Sequence, residues 1–86
     1  MIDLVSVDGR LGRRGGAAPG ADAHNLDHVC LRIAPFDDGA LRAHLRAHGV
    51  DAGATSDNFG AEGDGPSLTL RDPDGNGIEL KGHAAA

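Results

Sequence analysis

Residues 68–82 constrain this chain more than any other stretch. They read Leu-Thr-Leu-Arg-Asp-Pro-Asp-Gly-Asn-Gly-Ile-Glu-Leu-Lys-Gly. Leu68 and Leu70 alternate with Thr69 and Arg71, and Ile78 and Leu80 alternate with Glu79 and Lys81. Alternation with a period of two is the signature of a half-buried strand. Between the two runs lies Asp72-Pro73-Asp74-Gly75-Asn76-Gly77, a dense cluster of turn formers. The stretch therefore predicts a β-hairpin with one apolar and one polar face. Glu79 falls on the polar face just past the turn, where a rigid element can hold a carboxylate still.

The rest of the chain has little with which to stabilise such a hairpin. Its 86 residues make one domain the prior expectation. A domain of that size buries only about 60% of its unfolded surface. Two Phe, no Trp, no Tyr and one Met leave few large side chains for a core, and 14 Gly raise the entropic cost of ordering. The composition predicts help from a partner chain, a metal, or both.

Read in order, residues 1–7 open with a strand-like run, Ile2-Asp3-Leu4-Val5-Ser6, that predicts a short orphan strand with nothing upstream to pair with. Residues 8–25 are rich in Gly, Ala and Pro with no apolar period, as in a linker or long loop. Residues 26–34 form the clearest strand, with Val29, Leu31 and Ile33 on one face and His28, Cys30 and Arg32 on the other. Residues 37–48 predict a helix capped by Asp37 or Asp38, with Ala40, Leu41 and Leu45 as its apolar stripe and Gly49 as its stop. A short strand is expected near residues 52–56, then a loop over 58–66 in which Phe59 could cover a cleft. The hairpin follows, and residues 83–86 are a tail. The fold class is α+β: a single βαβββ module of residues 26–82, its sheet covered by one helix and preceded by the orphan strand. The opposite sheet face carries His28, Cys30, Arg32, Thr69, Arg71, Glu79 and Lys81, and so meets water or lines a cleft.

Several functions are disfavoured by composition. The net charge of −5 and the shortage of stacking aromatics argue against nucleic acid. No apolar run approaches the ~18 residues of a membrane span, and no signal peptide opens the chain. One cysteine, Cys30, excludes an internal disulfide framework and suits a reducing compartment, so the cytoplasm is expected.

Among groups that could carry chemistry, His28 and Glu79 form the sharpest pair. Imidazole and carboxylate together suit a divalent metal ion such as Zn, Fe, Mn or Ni, although two ligands do not complete a shell. The alternative is an ordinary polar pair on a solvated sheet face. Asp72, Asp74, Asn76 and Gly77 resemble the start of a calcium loop, but His83 stands where a bidentate Glu is required. Hairpin chemistry explains them better. His44 and His48 lie one helical turn apart without a third ligand. Cys30 beside His28 is a weak nucleophile signature, and a semi-buried thiol is the simpler reading. Arg10, Arg13 and Arg14 fit a solvated loop better than an anion site.

Taken together, Leu26-Asp27-His28-Val29, Pro35-Phe36-Asp37, Gly60-Ala61-Glu62-Gly63, Gly65-Pro66-Ser67 and the run from Asp72 to Leu80 resemble the vicinal oxygen chelate superfamily, the group of glyoxalase I, bleomycin-resistance proteins and extradiol dioxygenases. The resemblance covers residues 26–82. It implies a βαβββ module whose mixed sheet curls into half of a cleft, with a divalent metal held by a His on the first strand and a Glu on the last. Those positions fall on His28 and Glu79, and Glu79 is also the implied catalytic residue. Two such modules normally close the cleft, and here one is complete. Ile2-Asp3-Leu4-Val5-Ser6 resembles the last strand of a preceding module, which puts Asp3 in its carboxylate position.

The resemblance implies a metal-dependent protein of glyoxalase or dioxygenase type, a lyase, isomerase or dioxygenase. It would act on a small oxygen-bearing substrate and be completed by a second module or a homodimer partner. Arg32, Arg71 and Lys81 on the polar face are the expected substrate-binding cations, against the plainer reading of sheet-face solubility. Two alternatives stand beside it. One is a metal-free small-molecule binding or resistance module, disfavoured by the lack of Trp and Tyr. The other is an inactive half that acts as an interaction partner through its exposed strand edge.

Overall fold

The computed structural model describes residues 3–24 and 26–83. Beyond a short 3₁₀ turn at Gly12–Gly15, its elements are β1 (His28–Arg32), α1 (Asp38–Ala47), β2 (Ser56–Asn58), β3 (Gly65–Arg71) and β4 (Gly77–Lys81). They form the α+β module expected, one mixed, curled four-stranded sheet with one helix. The strand order is β1-β4-β3-β2. β1 runs parallel to β4, and the other two pairings are antiparallel.

Register follows from the alternation. Val29 pairs with Ile78 and Leu31 with Leu80 across the parallel step. Ile78 pairs with Leu70 and Leu80 with Leu68 across the hairpin. Two apolar rows therefore cross three strands on one face. The polar face carries the rows His28–Gly77–Arg71, Cys30–Glu79–Thr69 and Arg32–Lys81–Ser67. A slip of one residue would exchange the two faces, so the apolar rows fix the polar ones as well.

The helix begins where Asp37 accepts a hydrogen bond from the Ala40 amide at 3.0 Å. It stops in a Schellman arrangement. Gly49 takes φ 73°, its amide bonds to the Arg46 carbonyl at 3.0 Å, and the Val50 amide bonds to the Leu45 carbonyl at 2.9 Å. Arg42 ties the helix to the following strand segment. Its Nε holds Asp38, and its Nη2 reaches the Gly53 carbonyl and the Thr55 hydroxyl, each at 2.8 Å. Asp38 also accepts from the Thr55 hydroxyl, which holds its pKa below the usual value.

Several boundaries differ from those expected. The first strand is shorter than residues 26–34, and the second lies at Ser56–Asn58 rather than 52–56. Residues 3–7 form no strand: they are exposed and pair with no strand of the sheet, although β1 and β2 each have an edge without a partner among the described residues. The part of that expected strand at residues 1–2 lies outside the described residues. The 72–77 turn is hairpin chemistry and not a cation loop. Asp72 Oδ1 accepts from the amides of Asp74 and Asn76 at 2.9 and 2.7 Å, and Oδ2 from the Asn76 side chain at 2.8 Å. Three N–H donors already occupy most of the acceptor sites of that carboxylate, so its role is to brace the turn.

Burial is uneven. Leu68, 1% exposed, is the one fully buried hydrophobic residue among those described. Leu31 remains 39% exposed, and Leu4 92%. The accessible surface of 6551 Å² exceeds the roughly 4,700 Å² of a compact chain of this mass. The radius of gyration of 15.0 Å exceeds the roughly 12 Å of a compact chain of this length. The exposed N-terminal segment and a half-covered apolar sheet face both contribute.

Two outcomes follow for stability. Leu68→Ala should destabilise by about 3 kcal/mol in urea titrations, whereas Leu4→Ala should stay within about 0.5 kcal/mol of wild type. The Asn76 and Asp74 hydrogen bonds hold the Asp72 carboxyl below its ordinary value of 3.8. Its contribution is therefore complete above pH 3.8 and is lost as pH falls through the depressed value. Acid titration of the Asp74 and Asn76 amide resonances should show that release, and Asp72→Ala should abolish it.

Candidate metal centre

The two residues singled out by pattern meet on the polar face. His28 lies opposite Gly77 on β4, and Glu79 lies opposite Cys30 on β1, so the contact is diagonal across neighbouring strands. His28 Nε2 stands 3.3 Å from Glu79 Oε1. Gly77 makes room for it: a Cβ there would come within 3.0 Å of the His28 Cβ and 2.8 Å of the Asp27 carbonyl oxygen. The Gly-Ile-Glu order of β4 thus opens space for the ring and presents the carboxylate two residues on.

Asp27, which sequence reasoning did not single out, stands behind the ring. Its Oδ2 lies 2.7 Å from His28 Nδ1. That bond favours a proton on Nδ1 and turns Nε2 toward Glu79, the arrangement in which a histidine offers a lone pair to a cation. The adjacent positions of Asp27 and His28 were the signal, legible once His28 was considered as a ligand. The Asp27 hydrogen bond raises the His28 pKa above 6.5; burial opposes it, and the charges of Asp27 and Glu79 add smaller upward shifts.

Glu79 is 8% exposed, and its Oε2 is buried without a hydrogen-bond partner among the described residues. An orphaned buried carboxylate oxygen costs free energy unless something cationic or protic reaches it. A separation of 3.3 Å also matches what two ligands of one cation, each about 2.1 Å from it, leave between them. The residues present therefore fit a metal as two ligands of a shell. Among the described residues no cluster of three or more His, Cys, Asp or Glu could hold an ion.

The other marked residues separate. Lys81, 5% exposed, donates its ammonium to the carbonyls of Asn58 and Gly65. That contact gives it a structural role, while the residue also lines a cleft shared with His28 and Glu79. Arg71 donates to the Gly75 carbonyl at 2.8 Å and braces the hairpin turn. Arg32 is exposed and paired with Glu62. Partial burial of the thiol, and then the charge of Glu79, raise the Cys30 pKa, which suits a protonated thiol rather than a nucleophile. His48 Nδ1 is 2.9 Å from the His44 carbonyl, and the two rings stack with centroids 4.5 Å apart, so they do not converge on an ion. Phe59 is 83% exposed at the rim of a cleft.

Two hollows open beside the pair. One is a broad groove of about 880 Å³ between the end of α1 and the hairpin, with Asp51 and Arg71 on its walls. The other is a cleft of about 240 Å³ floored by Cys30 and Arg32 and roofed by loop 59–64. His28 and Glu79 line both. The three buried polar residues among those described, Ser67, Glu79 and Lys81, all belong to this face. No helix among the described residues is long and apolar enough to cross a membrane.

No family model and no curated protein matches the chain. Solved structures do. A virulence protein from Salmonella typhimurium is similar with a TM-score of 0.62 and 24% identity, over 77% of this chain and 48% of that one. An integron cassette protein from the mobile metagenome of V. cholerae gives 0.59 and 28%, over 66% and 44%. A protein from the mobile metagenome of V. pseudocholerae gives 0.57 and 26%, over 78% and 54%. The chain thus spans about half the length of the structures it resembles, and what the likeness establishes is the fold.

The geometry sets a direction for His28. In the metal-free protein its Cε1–H resonance should titrate with a midpoint above 6.5, and Asp27→Asn should lower that midpoint. The stabilisation from the protonated ring is fully present below pH 6.5 and fades as pH rises through the raised value.

Proposed function

We propose that this chain is one half of a metal-dependent site of the vicinal oxygen chelate type, acting on a small oxygen-bearing substrate and completed by a second module. The observation that carries the reading is the Glu79 carboxylate: its Oε2 is buried without a partner among the described residues, and its Oε1 faces the Nε2 of His28. His28 and Glu79 would hold the ion, and Asp27 would orient His28. A bound divalent cation supplies a Lewis acid that stabilises negative charge developing on adjacent substrate oxygens. The protein's own part is to keep the carboxylate buried, fix the ring, and shield the face from water with loop 59–64.

Need for a second module is supported on two counts. Two ligands fall short of the four or more that a transition metal takes. The surface left uncovered is also large for a chain of this size. The partner would be a second copy or a second module of the same kind.

The test joins metal content to mass in solution. Chelator-stripped protein, titrated with Zn or Ni, should retain the ion and increase in mass by light scattering. His28→Ala and Glu79→Gln should each weaken retention more than about tenfold, while Asp57→Asn on β2 should not. Neither retention nor a mass change with excess metal would overturn the reading.

A further inference from the structure

Loop 59–64 joins β2 to β3 and folds over the smaller cleft. Its neck is clamped from β4. Lys81 grips the carbonyls of Asn58 and Gly65, which face each other as the last pair of the β2–β3 ladder. A Cβ at Gly60 would lie 2.5 Å from Lys81 Cε, so the loop rests on the lysine stem. Its outer part closes on itself through the Gly63 amide, which donates to the Gly60 carbonyl at 3.0 Å, and is tied to β1 through one ion pair. Glu62 Oε1 and Oε2 lie 3.0 and 3.1 Å from one nitrogen of Arg32, Nη1. His83 Nδ1 stands 3.0 Å from the same nitrogen and 3.9 Å from Glu62 Oε2.

Two features mark this ion pair as exchangeable. Arg32 and Glu62 are 49% and 50% exposed, so the pair is bathed in water and weak. Glu62 and His83 both engage Nη1, and among the described residues Nε and Nη2 of Arg32 make no hydrogen bond. The guanidinium fork, which suits a carboxylate bidentately, is therefore used at one prong. Inward from Arg32 the floor runs through Cys30 to Glu79 and His28, about 13 Å of strand for four residues. The cleft, about 240 Å³, lies below the roughly 300 Å³ at which pockets for drug-sized ligands begin.

We propose that this cleft binds a small aliphatic carboxylate whose head group pairs with Arg32, and that Glu62 is a built-in competitor occupying Arg32 until the ligand displaces it. The chain's net charge of −5 and the nearby Glu79 favour a planar single-charged head over a more highly charged one. Placing the ligand's far end at His28 and Glu79 rests on the metal reading above, whereas the Arg32 subsite does not.

The experiment uses the full chain with chelator present and butyrate as probe, followed by amide shift titration. Butyramide and inorganic phosphate serve as comparisons. Butyrate should shift the amides of Cys30, Arg32 and Glu62. Its Kd should tighten about two- to fivefold in Glu62→Gln, the range set by an exposed ion pair. It should weaken more than about tenfold in Arg32→Gln, with dispersed spectra confirming that both variants fold. Equal binding of butyramide, stronger binding of phosphate, no shift with butyrate, or no tightening in Glu62→Gln would each overturn the proposal. Because metal is absent throughout, butyrate binding without metal retention would sink the metal reading alone, and the reverse result would sink this subsite alone.

Discussion

Strand β4 is paired along both edges, parallel to β1 and antiparallel to β3, and the rest of the structure depends on that double pairing. Paired on one side only, it would be a lone hairpin arm, marginal in water. Paired on both, it sets the height of every side chain on three strands. Glu79 lies between Cys30 and Thr69, and Lys81 between Arg32 and Ser67. The same register puts Gly77 beside His28, which is why the imidazole can lean across to the carboxylate.

Burial is shared between the two faces of the sheet: Leu68 is buried on one, and three polar side chains on the other. The polar face holds the buried residues Ser67, Glu79 and Lys81, while Leu31 on the apolar face stays partly exposed. Curling of the sheet and the roofing by loop 59–64 account for the first. The second reflects a helix that presents only Leu41 and Leu45, both half-buried, as large apolar residues.

Much of this was legible in the chain because period-two alternation speaks directly about strands. The hairpin, its register and the shared face of His28 and Glu79 all follow from the spacing of Leu68, Leu70, Ile78 and Leu80. The helix ends were legible from Asp37 and Gly49, since capping is local chemistry. What could not be read depends on contacts distant in sequence. Nothing in the run 78–82 tells that the Lys81 ammonium turns onto carbonyls 16 and 23 residues earlier. The pairing of Arg32 with Glu62 spans 30 residues through a loop with no periodicity. Residues 3–7 differ for another reason: Leu4 and Val5 are adjacent, so the segment has no single apolar face to lay against the sheet, and it is not a strand.

The clamp at the base of loop 59–64 acts on backbone oxygens, which every amino acid possesses. Its grip is indifferent to the side chains that lie between Asn58 and Gly65, apart from the room it demands at Gly60. The chain thereby separates anchorage from selectivity. The roof of the cleft can be rewritten residue by residue, and with it what the cleft admits, while the footing on β4 stays as it is.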